Sequence, residues 1–255
     1  VGVLVGTVTD KTAMSDVAPL LFIAMAVFAI SFAIISFVQI PEPALERKNV
    51  KFEHSAWSFR HTVLGVIAIF FYVGIEIGIP AQLNFYISDL GFEGSAAVAG
   101  FLAASYWFLM MIGRFVSSTI SGKVSTRTQM ICVSSVAILL LLVAIFLPES
   151  VSMTVKGAAV PMKCIFIAVC GICTSIMWGA IFNLAVEGLG KYTEQASGIF
   201  MMMVVGGGIM PLLQDFIAQR AGAIPSYWLV IAMLAFLLYY AVAGCKNVNK
   251  DIPVD

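Results

Sequence analysis

Charge is scarce in this sequence, and histidine is scarcer. Only 11% of its 255 residues are Asp, Glu, Lys or Arg, where a soluble domain carries about 25%. Acidic and basic residues balance at fourteen each, so the net charge points to no partner. No basic cluster of the kind that grips phosphate backbones is present, which excludes a nucleic-acid surface. The two histidines, His54 and His61, fall in one polar stretch and are expected to be solvated. They leave no His-rich or Ser/His/Asp set inside the apolar runs, so no catalytic residues, metal or cofactor are assigned. There are five cysteines. Cys170-Gly-Ile-Cys173 has the spacing of a redox or metal pair, but its apolar setting reads as small packing residues. The chain opens on Val1 with no basic n-region and no cleavage site, so it is read as a piece whose beginning is missing.

What is abundant is apolar sequence, at 61% and a mean hydropathy of +1.01. About 20 apolar residues cross a bilayer. Seven such runs are expected, at about 17–39, 62–85, 96–118, 129–147, 164–186, 195–217 and 227–244. The fold class is therefore an all-α, multi-pass membrane protein. The longest polar stretch, 40–61, reads as a linker between residues 1–39 and a six-span bundle over 62–245, with a tail at 246–255. The fourth run is rich in leucine and is expected to be the most lipid-facing. Residues 148–163 read as a polar loop.

Orientation follows from Lys and Arg. The linker, the 119–130 and 187–194 turns and the tail carry nine of the fourteen, the opposite loops carry four, and Arg114 lies at a span end. The positive-inside rule puts the linker and the C-terminus in the cytoplasm and the fragment's start outside.

Within the second run, Phe70-Phe71-Tyr72-Val73-Gly74-Ile75-Glu76-Ile77-Gly78-Ile79-Pro80 holds a carboxylate at membrane depth. A charge there costs roughly 2.5–3.5 kcal/mol on insertion scales and marks a functional site by default. The glycines and the proline predict a bent or locally broken helix, tolerated where it lines a cavity. The alternative is a protonated Glu76 hydrogen-bonded to a neighbouring helix. Tyr72 is four residues from Glu76 and shares its helix face. Gln82 and Asn84 lie beyond Pro80 and either line an entrance or cap the helix. Trp107 and Trp178 sit near span midpoints, away from the interfaces where anchoring tryptophans belong; Trp107 is read as packing. Asn183 either faces substrate or bonds between helices. Gly206-Gly207-Gly208 suits close approach or bending during gating, and Met201–Met203 reads as bland core or lipid contact.

Six spans behind a cytoplasmic linker match one half of a major-facilitator transporter, built as three plus three inverted repeats. On that division the second and fifth runs are equivalent, and both have polar centres. Four segments carry a closer resemblance: Phe71-Tyr72-Val73-Gly74-Ile75-Glu76-Ile77; Gly113-Arg114-Phe115; Ile181-Phe182-Asn183-Leu184-Ala185-Val186-Glu187-Gly188-Leu189-Gly190-Lys191-Tyr192-Thr193; and Val205-Gly206-Gly207-Gly208-Ile209-Met210-Pro211. They resemble the fucose permease-like sugar:proton symporters, bacterial glucose/galactose transporters included, over the C-terminal half of that family. Gly179 departs from the pattern, where the family often has proline.

The resemblance implies secondary transport of a hexose such as fucose, glucose or galactose, coupled to protons by alternating access, in a bacterial inner membrane. The implied partners are sugar, proton, lipid and the missing N-terminal half, where the family's coupling acids mainly lie. The implied substrate-binding residues are Glu76, Tyr72, Trp178, Asn183 and Gln82. Arg114, with Lys123 and Arg127, resembles the family's basic gating loop, and Gly206, Gly207 and Gly208 are the packing and gating glycines. A seven-span receptor is the rival from another class.

Overall fold

The computed structural model describes residues 14–38, 53–249 and 251–254. Residues 1–13 and most of the expected linker, including Arg47, Lys48 and Lys51, lie outside the described residues. Two units are distinct, one ending at Lys51 and one beginning at Phe52. In the first unit, α1 runs from Met14 to Phe37. It carries no charge after Asp16, and its apolar part, Leu21–Phe37, is shorter than the six apolar segments of the second unit.

The second unit contains α2 (Arg60–Ser88), α3 (Ser95–Ile120) and α4 (Thr126–Phe146), then a hairpin of β1 (Ser152–Val155) and β2 (Ala158–Pro161). After it come α5 (Lys163–Thr174), α6 (Met177–Val186), α7 (Thr193–Met202), α8 (Gly206–Ala221) and α9 (Ala223–Tyr239). Together they make six membrane-length apolar segments. Two are composite: numbered as the seven apolar runs of the sequence, α5 and α6 form the fifth span, and α7 and α8 form the sixth.

Helix α2 is the axis of the bundle. It packs on α3, α5, α6, α8 and α9, and Ala68, Ile69, Tyr72, Ile75, Ile79 and Leu83 along it are fully buried. A helix enclosed on most sides must be apolar on most sides, which is why its sequence shows little periodicity. Lipid tails supply no hydrophobic drive between helices, so association rests on close packing of small residues. The α2–α8 crossing shows this. A Cβ on Gly206 would run into the Phe70 backbone, and one on Gly74 would run into Met210.

The bends lie elsewhere than expected. Helix α2 continues unbroken through Pro80. Proline removes one donor, but the surrounding helices hold the segment, and the Tyr227 hydroxyl donates to the Ile79 carbonyl at 2.9 Å. The fifth span breaks instead, between Thr174 and Met177. There Thr174 Oγ1 donates back to Gly171 O at 3.1 Å and Ser175 Oγ to Ile172 O at 2.6 Å. Hydroxyls bonding back into their own helix bend it. The sixth span changes to a 3₁₀ turn at Met203–Val205, and the seventh ends in a π-helical turn at Tyr240–Gly244.

Four further expectations are corrected. The 148–163 loop holds the antiparallel hairpin, in register Ser152↔Pro161 to Val155↔Ala158. Its two-residue turn is Lys156-Gly157, both at positive φ, as the right-handed twist of a hairpin requires. His61 is not solvated: it is the second residue of α2, fully buried, with Nε2 3.1 Å from the Glu187 carbonyl. The sixth span, not the fourth, has the smaller share of its apolar stretch buried, because Met202 and Leu212 face away from the bundle. Trp107 is 46% exposed and meets Tyr106 edge-on, so it is not an interior packing residue.

At one end of the bundle, a small cluster joins three chain segments. Ala56 and Phe59 precede α2, Leu189, Tyr192 and Ala196 lie around the turn before α7, and Ile252 and Val254 come from the tail. Lys191 N donates to the Val254 carbonyl at 3.0 Å, and Arg60 N donates to Asn249 Oδ1 at 3.1 Å.

Candidate functional site

Glu76 sits at the middle of α2 and is 15% exposed. Burial of its neighbours on the α2 faces that meet α8 and α9 leaves it turned towards α3 and the break in the fifth span. From α3 comes Arg114, six residues before that helix ends. Its Nη2 lies 3.5 Å from Glu76 Oε1, and its Nε donates to the Ser175 carbonyl at 3.3 Å. Ser175 approaches because Gly113 faces it without a side chain; a Cβ there would meet Ser175 Oγ and Cβ. One guanidinium therefore serves a carboxylate on the second span and the backbone of the fifth.

These groups line a cavity of about 570 Å³ together with Ser117, Gln129, Trp178 and Asn183. Ser117 Oγ donates to Gln129 Oε1 at 3.0 Å, tying α3 to α4. The Trp178 indole stacks on Phe182 at 5.7 Å and 18°. Phe200 meets both rings edge-on, at 5.8 and 5.1 Å. The indole is thus held in one orientation by two neighbouring rings. Pairing offsets the cost of each charge at this depth. At 3.5 Å the contact is long, and an ionised carboxylate has about four acceptor sites. Glu76 keeps capacity for a ligand's hydroxyls.

Of the expected site residues, Glu76, Trp178 and Asn183 line this cavity. Arg114 joins them rather than the basic loop. Arg127 acts apart from it, donating to the Ala241 and Val242 carbonyls at the end of the last span. Tyr72 lies beneath the floor, fully buried, and its hydroxyl donates to the Thr174 carbonyl at 3.1 Å. Gln82 is 5% exposed and borders a separate recess with Asp89 and Asp215. It lies in the α2 interior, as does Asn84, so neither caps the helix. Asn183 also borders a second cavity of about 930 Å³ with Arg127, Glu187 and Lys246. Gly206 is pressed on Phe70 and Gly207 on Val73 and Ile77, but a Cβ on Gly208 would meet nothing within 4 Å.

The residues not foreseen are Thr174 with Tyr106, and Gln214. The Tyr106 hydroxyl is 2.9 Å from Thr174 Oγ1. Gln214 is buried against Gly78, with its amide 3.5 Å from Ser226 Oγ. Their signal in the sequence was a polar residue within an apolar run, which many harmless positions share.

The second and fifth spans thus meet at the site, a carboxylate from one and a broken backbone from the other. The profile of the Major Facilitator Superfamily matches residues 1–212. The chain belongs to that superfamily. It is 36% identical over 231 residues to a glucose/galactose transporter of Brucella abortus, covering 89% of this chain and 53% of the relative. It is 27% identical over 192 residues to the L-fucose-proton symporter of Escherichia coli, covering 74% and 40%. The crystal structure of the E. coli fucose:proton symporter aligns with a TM-score of 0.72 at 22% identity, over 89% of this chain and 54% of that one. This facilitator chain spans about half the length of the curated relatives it matches. Superfamily halves are built from inverted three-helix repeats with substrate sites at the repeat interface. The Glu76–Arg114 cavity is lined by residues of the first four of the six spans.

Proposed function

We propose that this chain supplies one wall of a pathway for a neutral hexose, moved by alternating access and coupled to protons. The observation that carries the proposal is the cavity in which Glu76 and Arg114 lie beside the fixed indole of Trp178. A carboxylate accepts from sugar hydroxyls and a guanidinium donates to them. The indole face covers the apolar C–H side of the ring. Asn183 sits where this cavity adjoins the second one and is read as contacting sugar on its way through. Tyr72 supports the floor, and Gln82 plays no direct part.

The printed names of the relatives, a glucose/galactose transporter and an L-fucose-proton symporter, support a hexose and a proton as cargo. They support a transporter rather than an enzyme. The surroundings proposed are a bacterial inner membrane, lipid, and a second six-helix half that completes the pocket. Their Lys and Arg excess supports a cytoplasmic side for the linker and tail.

The test is uptake by the full-length protein in liposomes. Labelled glucose, galactose and fucose are offered with and without an inward proton gradient. Gradient-driven accumulation of one of them is expected. Saturable binding without flux of any of the three would mark a receptor and overturn the proposal.

A further inference from the structure

The break in the fifth span is held from two other helices. Tyr72 of α2 donates to the Thr174 carbonyl at 3.1 Å, and Tyr106 of α3 meets Thr174 Oγ1 at 2.9 Å. Arg114 takes the next carbonyl, Ser175 O, at 3.3 Å. Of these three side chains, both tyrosines are fully buried, whereas Arg114 is 58% exposed and opens into the cavity. Arg114 also touches Glu76, a charged group which a ligand can reach. Its Nη2 contact to Glu76 is long, and its Nε contact to Ser175 belongs to the same rigid planar fork. A guanidinium cannot rotate to follow Glu76 without turning Nε away from Ser175.

We infer that Arg114 is a positioning residue: it clasps the second span to the break of the fifth, and sugar hydroxyls that engage Glu76 loosen the clasp and let the fifth span bend. This deepens the hexose reading of the same cavity and rests on it. The structural consequence is that the α6 wall, with Trp178 and Asn183, is set by the state of Glu76. Gly113 and Gly171 fit the same account. A side chain at either would collide, with Ser175 in one case and with the Tyr106 backbone in the other, so α3 lies as close to the break as backbones allow.

Cys173, next to Thr174 and 5% exposed, is a native reporter of that break. The experiment uses the full-length protein with every cysteine other than Cys173, Cys132, Cys164, Cys170 and Cys245 included, replaced by serine or alanine and transport verified. Labelling of Cys173 by N-ethylmaleimide is timed with and without saturating galactose, glucose or fucose. Arg114→Gln should raise the sugar-free rate about fivefold, the opening expected when one hydrogen bond is lost. Arg114→Lys keeps a charge for Glu76 but no fork, so it should raise the rate as well, while the half-saturating sugar concentration moves less than in the Gln variant. With Arg114 intact, the transported sugar should itself raise the rate. If the Gln variant does not reach the membrane, the Lys variant and the sugar response decide. An unchanged rate in Arg114→Lys, or a transported sugar that leaves the Arg114 protein's rate unaltered, overturns the clasp. Failure of all three sugars to be carried removes the hexose reading instead, and the sugar-free comparison still judges the clasp.

Discussion

At the scale of single residues, Glu76 carries the sharpest expectation. Replacing it with Gln keeps the shape and one acceptor but removes ionisation. Hydrogen bonds to charged groups are worth about 1.5–3 kcal/mol, so the half-saturating sugar concentration should rise by about tenfold or more in counterflow assays. Accumulation driven by the proton gradient should persist at high sugar. Exchange without accumulation would reassign Glu76 as the proton carrier, and wild-type values for both would return it to helix packing. Glu76 was legible because an uncompensated carboxylate in an apolar run has few reasons to be there. Arg114 was equally conspicuous by type, yet counting residues placed it at a span end, and only the third dimension sets it 3.5 Å from Glu76. Gln82 lies away from this cavity for a geometric reason. Six residues on from Glu76, it points about 120° away around a helix of 3.6 residues per turn, and the intact passage through Pro80 preserves that angle. Tyr72 does lie on the Glu76 side, but the fifth span closes over its ring and takes its hydroxyl.

At the scale of elements, the glycine triplet separates into unequal parts. Gly206 lies against backbone of α2, Gly207 against the tips of two side chains, and Gly208 against open space. Gly206→Leu should therefore lower the yield and thermal stability of folded protein by an overpacking cost of about 1–3 kcal/mol. Gly208→Ala should stay within about 0.5 kcal/mol of wild type, as outward-facing substitutions do. Fluorescence-detected size-exclusion after graded heating measures both; equal losses would mean that the sixth span packs differently from this structure. Glycine and proline density pointed to the second span as the broken one. The fifth is broken with neither residue at its discontinuity, because Thr174 and Ser175 turn their hydroxyls back on their own helix. Such back-bonding is invisible in composition, since the same residues in another helix would bond across to a neighbour.

At the scale of the molecule, the six spans after the linker and their order were readable from hydropathy alone, since 20-residue apolar runs leave few alternatives. The hairpin over 152–161 was not readable, because two four-residue strands in a polar loop carry little pattern beyond the turn at Lys156-Gly157. Sidedness has a direct test. In a cysteine-free background, Thr154→Cys in the hairpin should react with an impermeant maleimide on intact cells, while His54→Cys and Lys246→Cys should react only after permeabilisation. The reverse pattern would invert the orientation. The cluster that joins Phe59, Tyr192 and Val254 also bears on how the protein is made. Its parts come from before the first of the six spans, from between the fourth and fifth, and from beyond the last. During synthesis it cannot close until Ile252 and Val254 have left the ribosome. Every earlier span must then wait in the insertion machinery or in lipid with that end unsealed.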